Sequence, residues 1–367
     1  MHSPGDRRGS GTGQPRRLAL AALRALGVLG VTAVLDPMGC VGAGPIAPRP
    51  AIAQGTVGQD VSTPPPVSGR RLSDPASILP ADVLARVELV RANVALIRKF
   101  MGRPEPPSPF LRVESAQPRE VYSQALNLQQ RANRLAFEQV RVVRSESVPL
   151  QQDARPADVF AVVDTALAAA LLVKQELGID DTIGEQARPE STTPSEVFNA
   201  IVATGGDLNN ILAKKTSPSD VFQLVTGSVH QAASLHAALP GGGYLPKEPA
   251  FEPNKTPGDV YARMQRCFVL IQRLAAANGI RTLTFEFDEN YHPQVTPNDV
   301  SDLAALVLEE LLHLHREFPE AKAPARAYHP GKRFPAHVYQ RAGLLEALLT
   351  DLVAAGAAKP SARSDSD

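Results

Sequence analysis

A short proline-led motif recurs along the chain and constrains its fold more than any other feature. The motif reads proline, any residue, an acid, valine and an aromatic residue. Complete copies begin at Pro118, Pro156, Pro194, Pro218 and Pro257, and variants begin at Pro80, Pro297 and Pro335. From one proline to the next the intervals are 38, 38, 38, 24, 39, 40 and 38 residues. Such regular spacing indicates an internal repeat.

The chemistry of the motif is that of a helix start. Proline suits the first helical position because its missing N–H would have no partner there. Thr193, Ser217, Thr256 and Thr296 precede four of the prolines as N-caps, and the acid stands at the spacing of a capping box. An acid also lies favourably in the positive end of the helix dipole. We therefore interpret these acids as capping groups and not as ligands.

Each motif is followed by one apolar seam. Counted from the proline, positions 3, 7, 10, 14 and 17 are mostly apolar, as in Val260, Met264, Cys267, Ile271 and Leu274. Spacings of four and three are typical of a helical bundle. The sequence predicts an all-α fold of about eight repeated helices, each about 20 residues long, in one or two bundles joined by long Pro-rich linkers. Cys267, on a seam, is predicted to be an inert core thiol.

The linkers set the direction of the helices. Most contain roughly fifteen residues, enough to reach about 50 Å and run back along a helix. Neighbouring repeats are then free to lie parallel. The 24-residue interval leaves room only for a tight antiparallel hairpin after Lys214. Alternating apolar residues at Leu283, Phe285 and Phe287 indicate a small β element.

The N-terminus has the features of an export signal over residues 1–43. Arginines precede an apolar run from Ala25 to Leu35, which is too short to span a bilayer. Cleavage is expected after Ala43, or as late as Ala53. Cys40 offers an alternative as a lipid anchor. We expect a periplasmic or secreted protein with no transmembrane span after signal removal.

The remaining chain divides by composition and repeat count. Residues 44–78 are predicted to be a disordered linker, residues 79–216 hold repeats 1–4, residues 217–358 hold repeats 5–8, and residues 359–367 form a disordered tail.

Composition and motifs argue against several functions. Lys+Arg and Asp+Glu both total 38, so the chain lacks the basic footprint of a nucleic-acid-binding protein. There is no Gly-rich phosphate loop after a strand and no Gly-x-Ser-x-Gly nucleophile elbow. We expect no cofactor, and catalysis has no positive signal.

The strongest metal-like pattern is Glu310 and His313, a Glu-x-x-His pair of the kind used by di-iron bundles. No second copy of that pattern occurs. The seam through Val307, Leu311 and Leu314 turns His313 away from the bundle interior. A solvated helix face is therefore the favoured interpretation, and the pair remains a weak candidate for metal.

Two functional hypotheses follow. The first is a non-catalytic exported helical-repeat protein that binds or scaffolds an unknown protein or small-molecule partner. The second is a metal- or cofactor-binding helical bundle centred on Glu310 and His313.

Overall fold

The computed structural model describes residues 77–142, 153–239, 242–285, 293–325 and 328–357. Within these ranges the protein is all-α, as predicted, and each of eight helices begins at a motif proline. They are α1 (Pro80–Phe100), α2 (Pro118–Val140), α3 (Pro156–Glu176), α4 (Pro194–Ile211), α5 (Pro218–Ala237), α6 (Pro257–Ala277), α7 (Pro297–Arg316) and α8 (Pro335–Ala357). The predicted export signal, Cys40, the 44–76 part of the linker and the 359–367 tail lie outside the described residues.

The motif starts the helices through reciprocal hydrogen bonds. In α6 the Thr256 hydroxyl accepts from the Asp259 N–H at 3.3 Å, and the Asp259 carboxylate accepts from the Thr256 N–H at 2.7 Å. The same exchange opens α4, α5 and α7. In α8 His337 takes the place of the acid, and its Nδ1 accepts from the Phe334 N–H at 3.2 Å. The acids therefore cap the helices, as the sequence predicts.

The helices pack into two groups of four with the same internal order. In the first bundle, α1 to α4, the neighbours around the ring are α1, α3, α2 and α4. In the second bundle, α5 to α8, they are α5, α7, α6 and α8. In the first bundle α1 therefore lies diagonally opposite α2, and α3 lies diagonally opposite α4. In the second bundle α5 lies opposite α6, and α7 lies opposite α8. Long linkers make this order feasible. Those between α1 and α2, α3 and α4, α5 and α6, and α7 and α8 cross to the far side of their bundle, and those between α2 and α3 and between α6 and α7 return to an adjacent helix.

All four helices of each bundle run in the same direction, as expected from the linker lengths. The motif proline and valine of every helix line one small cavity at a single end of its bundle. The first bundle contributes Pro80, Val83, Pro118, Val121, Pro156, Val159, Pro194 and Val197. The second contributes Pro218, Val221, Pro257, Val260, Pro297, Val300, Pro335 and Val338.

The apolar seams form the bundle cores. In α6 the five seam residues from Val260 to Leu274 are each 4% exposed or less. Cys267 is fully buried, its Sγ lies 3.7 Å from the Ala342 carbonyl oxygen, and burial raises the pKa of its thiol. Since the thiolate is the reactive form, the thiol acts as a small packing group.

Linkers pack in extended form along the helices that they cross. The Asn199 side chain of α4 both donates to the carbonyl and accepts from the N–H of Val113, each at 3.0 Å. Val113 also forms an antiparallel bridge with Phe285. The β element predicted around 283–287 is thus a single bridge within the described residues, where no longer strand is found.

The two bundles lie side by side in opposite directions. Arg119, near the start of α2, pairs with Glu310 in the second half of α7, while Arg131, further along α2, pairs with Asp302 early in α7. Residues 212–217 join α4 to α5 and reverse the chain, as the short interval predicts. The expected hairpin packing is wrong, however, because α5 packs on α7 and α8 while α4 packs on α1 and α2.

Candidate binding cleft between the bundles

A cleft of about 700 Å³ lies between the bundles. It exists because α7 packs against both α2 and α5, whereas α2 and α5 do not pack against each other. Helix α7 is therefore the floor, and α2 and α5 are the walls. The cleft is lined by Asn127, Gln130, Arg131, Arg134, Thr216, Asp220, Gln223, Leu224, Gly227, His230, Gln231, Ser301, Leu308, Leu312, Pro324 and Ala325.

The floor of the cleft is apolar and its walls are polar. Leu308 and Leu312 of α7 lie in the floor. Gly227 on α5 faces that floor, and a Cβ there would lie 3.4 Å from both terminal methyls of Leu308. The α2 wall presents amides and guanidiniums, and the α5 wall presents amides and one imidazole. Concave sites that combine apolar surface with a few polar groups are the usual ligand sites of proteins.

The charged groups of the cleft already have partners. Arg131 is paired with the buried Asp302. The Arg134 Nε lies 3.6 Å from the Glu138 carboxylate, which also accepts from the Ala213 N–H at 2.7 Å. Asp220 caps α5 through the Ser217 N–H and hydroxyl. Little uncompensated charge is therefore offered to a ligand.

The amide and imidazole groups are the polar groups left to a ligand. Gln231 Oε1 is buried and has no hydrogen-bond partner among the described residues. Gln130 is exposed on the opposite wall. Burial lowers the pKa of His230, and the neighbouring His329 and Arg341 shift it the same way, so this imidazole is neutral near pH 7.

A buried charge cluster lies beside the cleft, where the start of α2 meets the end of α7. Arg119 Nη2 is 3.2 Å from Glu310 Oε2 and 2.5 Å from Glu120 Oε1. Both glutamates are 0% exposed. Burial raises the pKa of each carboxyl group, and the Arg119 guanidinium opposes that rise. The two glutamates share one cation, Arg119, so the net charge of the three side chains is zero when one carboxyl group is protonated.

The solvated-face interpretation of Glu310 and His313 is wrong for Glu310. That face of α7 is covered by α2 of the first bundle, so Glu310 is buried and His313 is half-buried. Burial and the charges of Arg119 and Arg316 lower the pKa of His313 to about 4. The apolar seam predicts which face packs inside a bundle, but α7 also buries its polar face in a second contact.

The Arg119 guanidinium lies against the Glu310 carboxylate, where a metal ion bound by that carboxylate would have to lie. Among the described residues no group of three or more His, Cys, Asp or Glu side chains is arranged to hold a metal. Three further acidic or imidazole side chains shortly before α7, those of Asp288, Glu289 and His292, lie outside the described residues. Metal binding at Glu310 and His313 stays the alternative hypothesis, and the described residues supply no third ligand for it.

Helix α3 is long and apolar enough to cross a membrane by length and composition, and it is the one such helix in the described ranges. Several of its apolar residues, among them Val163, Ala166 and Val173, are fully buried in the first bundle. A core helix passes the same criterion, so composition alone does not indicate a membrane span.

The cleft was not predicted from the sequence, since its lining comes from three helices of two bundles. The chain matches no protein-family model. Neither the curated proteins nor the solved structures compared with it give a match.

Proposed function

We propose that the protein is a non-catalytic exported binding protein whose partner occupies the cleft between the bundles. The observation that carries this proposal is the cleft itself, about 700 Å³ in volume with an apolar floor and polar walls. The amide side chains of Asn127, Gln130 and Gln231 on its two walls support it, because an amide both donates and accepts hydrogen bonds.

Binding without catalysis is favoured by the state of the reactive groups. The thiol of Cys267 is enclosed in the second bundle's core, away from the cleft. The lining residues with a formal charge are held in ion pairs or caps. A general base needs a nucleophile or substrate proton within reach. His230 lies beside His329, whose ring in turn contacts Phe222, and the described lining includes no cysteine.

The alternative, a metal- or cofactor-binding bundle centred on Glu310 and His313, has weaker support. Glu310 is already compensated by Arg119, and the lowered pKa of His313 reflects burial first and then two nearby guanidiniums. Positive side chains beside an imidazole disfavour a cation there.

A ligand panel read by thermal unfolding tests the proposal. Amino acids, capped peptides, saccharides, nucleotides and fatty acids would be added to wild type and to Leu308→Trp, which fills the cleft floor. The matched control is Leu171→Trp on the outer surface of α3, where Leu171 is 44% exposed. A ligand at 100 times its Kd stabilises by about 2.7 kcal/mol.

We expect at least one class to raise the Tm of wild type and Leu171→Trp and to leave Leu308→Trp unchanged. A panel without such a class, or ligands that act equally on all three proteins, would contradict the proposal.

A further inference from the structure

We propose that the ligand of the cleft is an extended polypeptide segment recognised through its backbone. The inference rests on the proposed function, because it takes the cleft as the binding site. It adds the chemical class of the partner. The case comes from how the same helices hold the chain's own linkers.

The protein already binds extended backbone with amide side chains on two helices. Asn199 of α4 donates to and accepts from the peptide groups of Val113, both at 3.0 Å. Gln223 of α5 does the same with His329, donating to its carbonyl at 2.7 Å and accepting from its N–H at 3.1 Å. Both amides stand five residues after a motif proline. A planar amide matches the donor and acceptor of an extended residue.

Single amide contacts repeat this pattern elsewhere. Gln340, at the same position in α8, donates to the Pro249 carbonyl at 2.8 Å. Asn210 of α4 donates to the Pro104 carbonyl. Extended backbone has no internal hydrogen bonds, so each segment that lies on a helix needs such side chains. The repeat therefore uses amides on helix surfaces as its means of holding extended chain.

The cleft presents amides of this kind that hold no described backbone. Gln130 and Asn127 lie on the α2 wall, and Gln231 lies on the α5 wall. Asn127 donates to the Gln124 side chain at 3.3 Å, which leaves its own oxygen available. The Gln231 side chain lines this space, and its Oε1 is buried without a hydrogen-bond partner among the described residues. Amide side chains thus line both walls, one wall for each edge of a strand.

The dimensions of the cleft fit a short strand. Along α5 the lining runs from Asp220 to Gln231, about 16 Å at 1.5 Å per residue. At about 3.3 Å per residue that length holds roughly five extended residues. Alternate side chains of such a segment would face the floor, where Leu308 and Leu312 supply apolar contact.

Other ligand classes fit the lining less well. A helical peptide satisfies its own backbone and has no use for amides on both walls. An anion meets Arg131 and Arg134, which Asp302 and Glu138 already neutralise. A saccharide or nucleobase usually stacks on aromatic rings, and none of the described lining residues is aromatic apart from His230.

Peptide selection tests the inference. The probe is a library of N-acetylated, C-amidated heptapeptides, selected on the full chain and counter-selected on Leu308→Trp. Selected peptides are remade with N-methyl groups at alternate residues, which removes backbone donors and keeps every side chain. Affinities are measured for wild type, Gln130→Leu and Gln231→Leu, with Gln175→Leu on the exposed surface of α3 as the matched control.

We expect N-methylation in one of the two registers, and each cleft substitution, to weaken binding by about tenfold, while Gln175→Leu binds as wild type does. Equal binding by both N-methylated forms would overturn backbone recognition. A cleft that binds another class from the ligand panel but no peptide would overturn this inference and leave the proposed function standing. A cleft that binds nothing would overturn both.

Discussion

Arg119 of α2 and Glu310 of α7 are joined across the boundary between the two bundles, with 3.2 Å between Nη2 and Oε2. The arginine is 5% exposed and the glutamate 0%. Arg119 Nε and Nη1 have no hydrogen-bond partner among the described residues. The pair therefore joins the bundles at a considerable cost in desolvation free energy. Replacing Arg119 and replacing Glu310 should accordingly change the stability of the protein by different amounts.

Replacing the cation alone should be strongly destabilising. Arg119→Met leaves the buried Glu120 and Glu310 without a counter-ion, and we expect a loss of about 3–5 kcal/mol in the free energy of unfolding. The control is Arg86→Met, which removes an exposed pair with Asp164 and should cost at most about 1 kcal/mol. Urea denaturation followed by circular dichroism measures both. Equal losses would show that burial does not govern the Arg119 contacts.

The stability contributed by Glu310 should fall as pH rises. Burial raises the pKa of Glu310 in the folded protein above the ordinary value of 4.5. A raised folded-state pKa means that the contribution is complete below pH 4.5 and is lost as pH increases through the folded pKa. The difference in unfolding free energy between wild type and Glu310→Gln should therefore decline between pH 4 and 8. A difference that grows over this range would refute the pKa direction.

Two N-cap residues at equivalent positions, Thr256 of α6 and Leu79 of α1, should respond to substitution in opposite ways. Thr256→Ala should cost about 1 kcal/mol, because the hydroxyl accepts from the Asp259 N–H. Leu79 stands at the equivalent position of α1, is 61% exposed and makes no side-chain cap bond. Leu79→Thr should accordingly stabilise by a similar amount. Unfolding free energies decide both, and a Leu79→Thr protein less stable than wild type would contradict the capping account.

Glu310 and His313 should hold no metal tightly. The Arg119 guanidinium lies against Glu310, and a pKa of about 4 for His313 marks surroundings unfavourable to cations. Elemental analysis after extensive dialysis should give well under one transition metal per chain. A stoichiometric metal that disappears in His313→Ala would establish the metal-bundle alternative instead.

Export should remove the N-terminal segment. We expect the mature protein to begin after Ala43 or Ala53, since small residues precede both positions. N-terminal sequencing of protein recovered from the cell envelope or the medium is the measurement. Recovery with Met1 intact, in the cytoplasmic fraction alone, would rule out the export signal.

The sequence predicts the helices better than their assembly. Motif prolines such as Pro257 mark every helix start, because capping is a local property of four or five residues. The seam likewise predicts the buried face within a bundle. The burial of Glu310 was not predicted because it depends on α2, which is almost 200 residues away in sequence. Asn127 and Gln231 were missed for the same reason. A polar side chain that lines a cleft and one that faces open solvent occupy the same kind of position in the hydrophobic pattern of the sequence.

Because the four helices of each bundle run parallel, the repeated acid has an electrostatic role beyond capping a single helix. A helix carries about half a positive charge at its N-terminus, so four aligned starts place roughly two at one end of a bundle. Asp82, Glu120, Asp158 and Glu196 counter that charge in the first bundle. In the second bundle three aspartates do so, with His337 in the fourth place. Because the two bundles point in opposite directions, the remaining dipoles of their helices oppose each other, so the eight helices together have a smaller net dipole than either bundle alone.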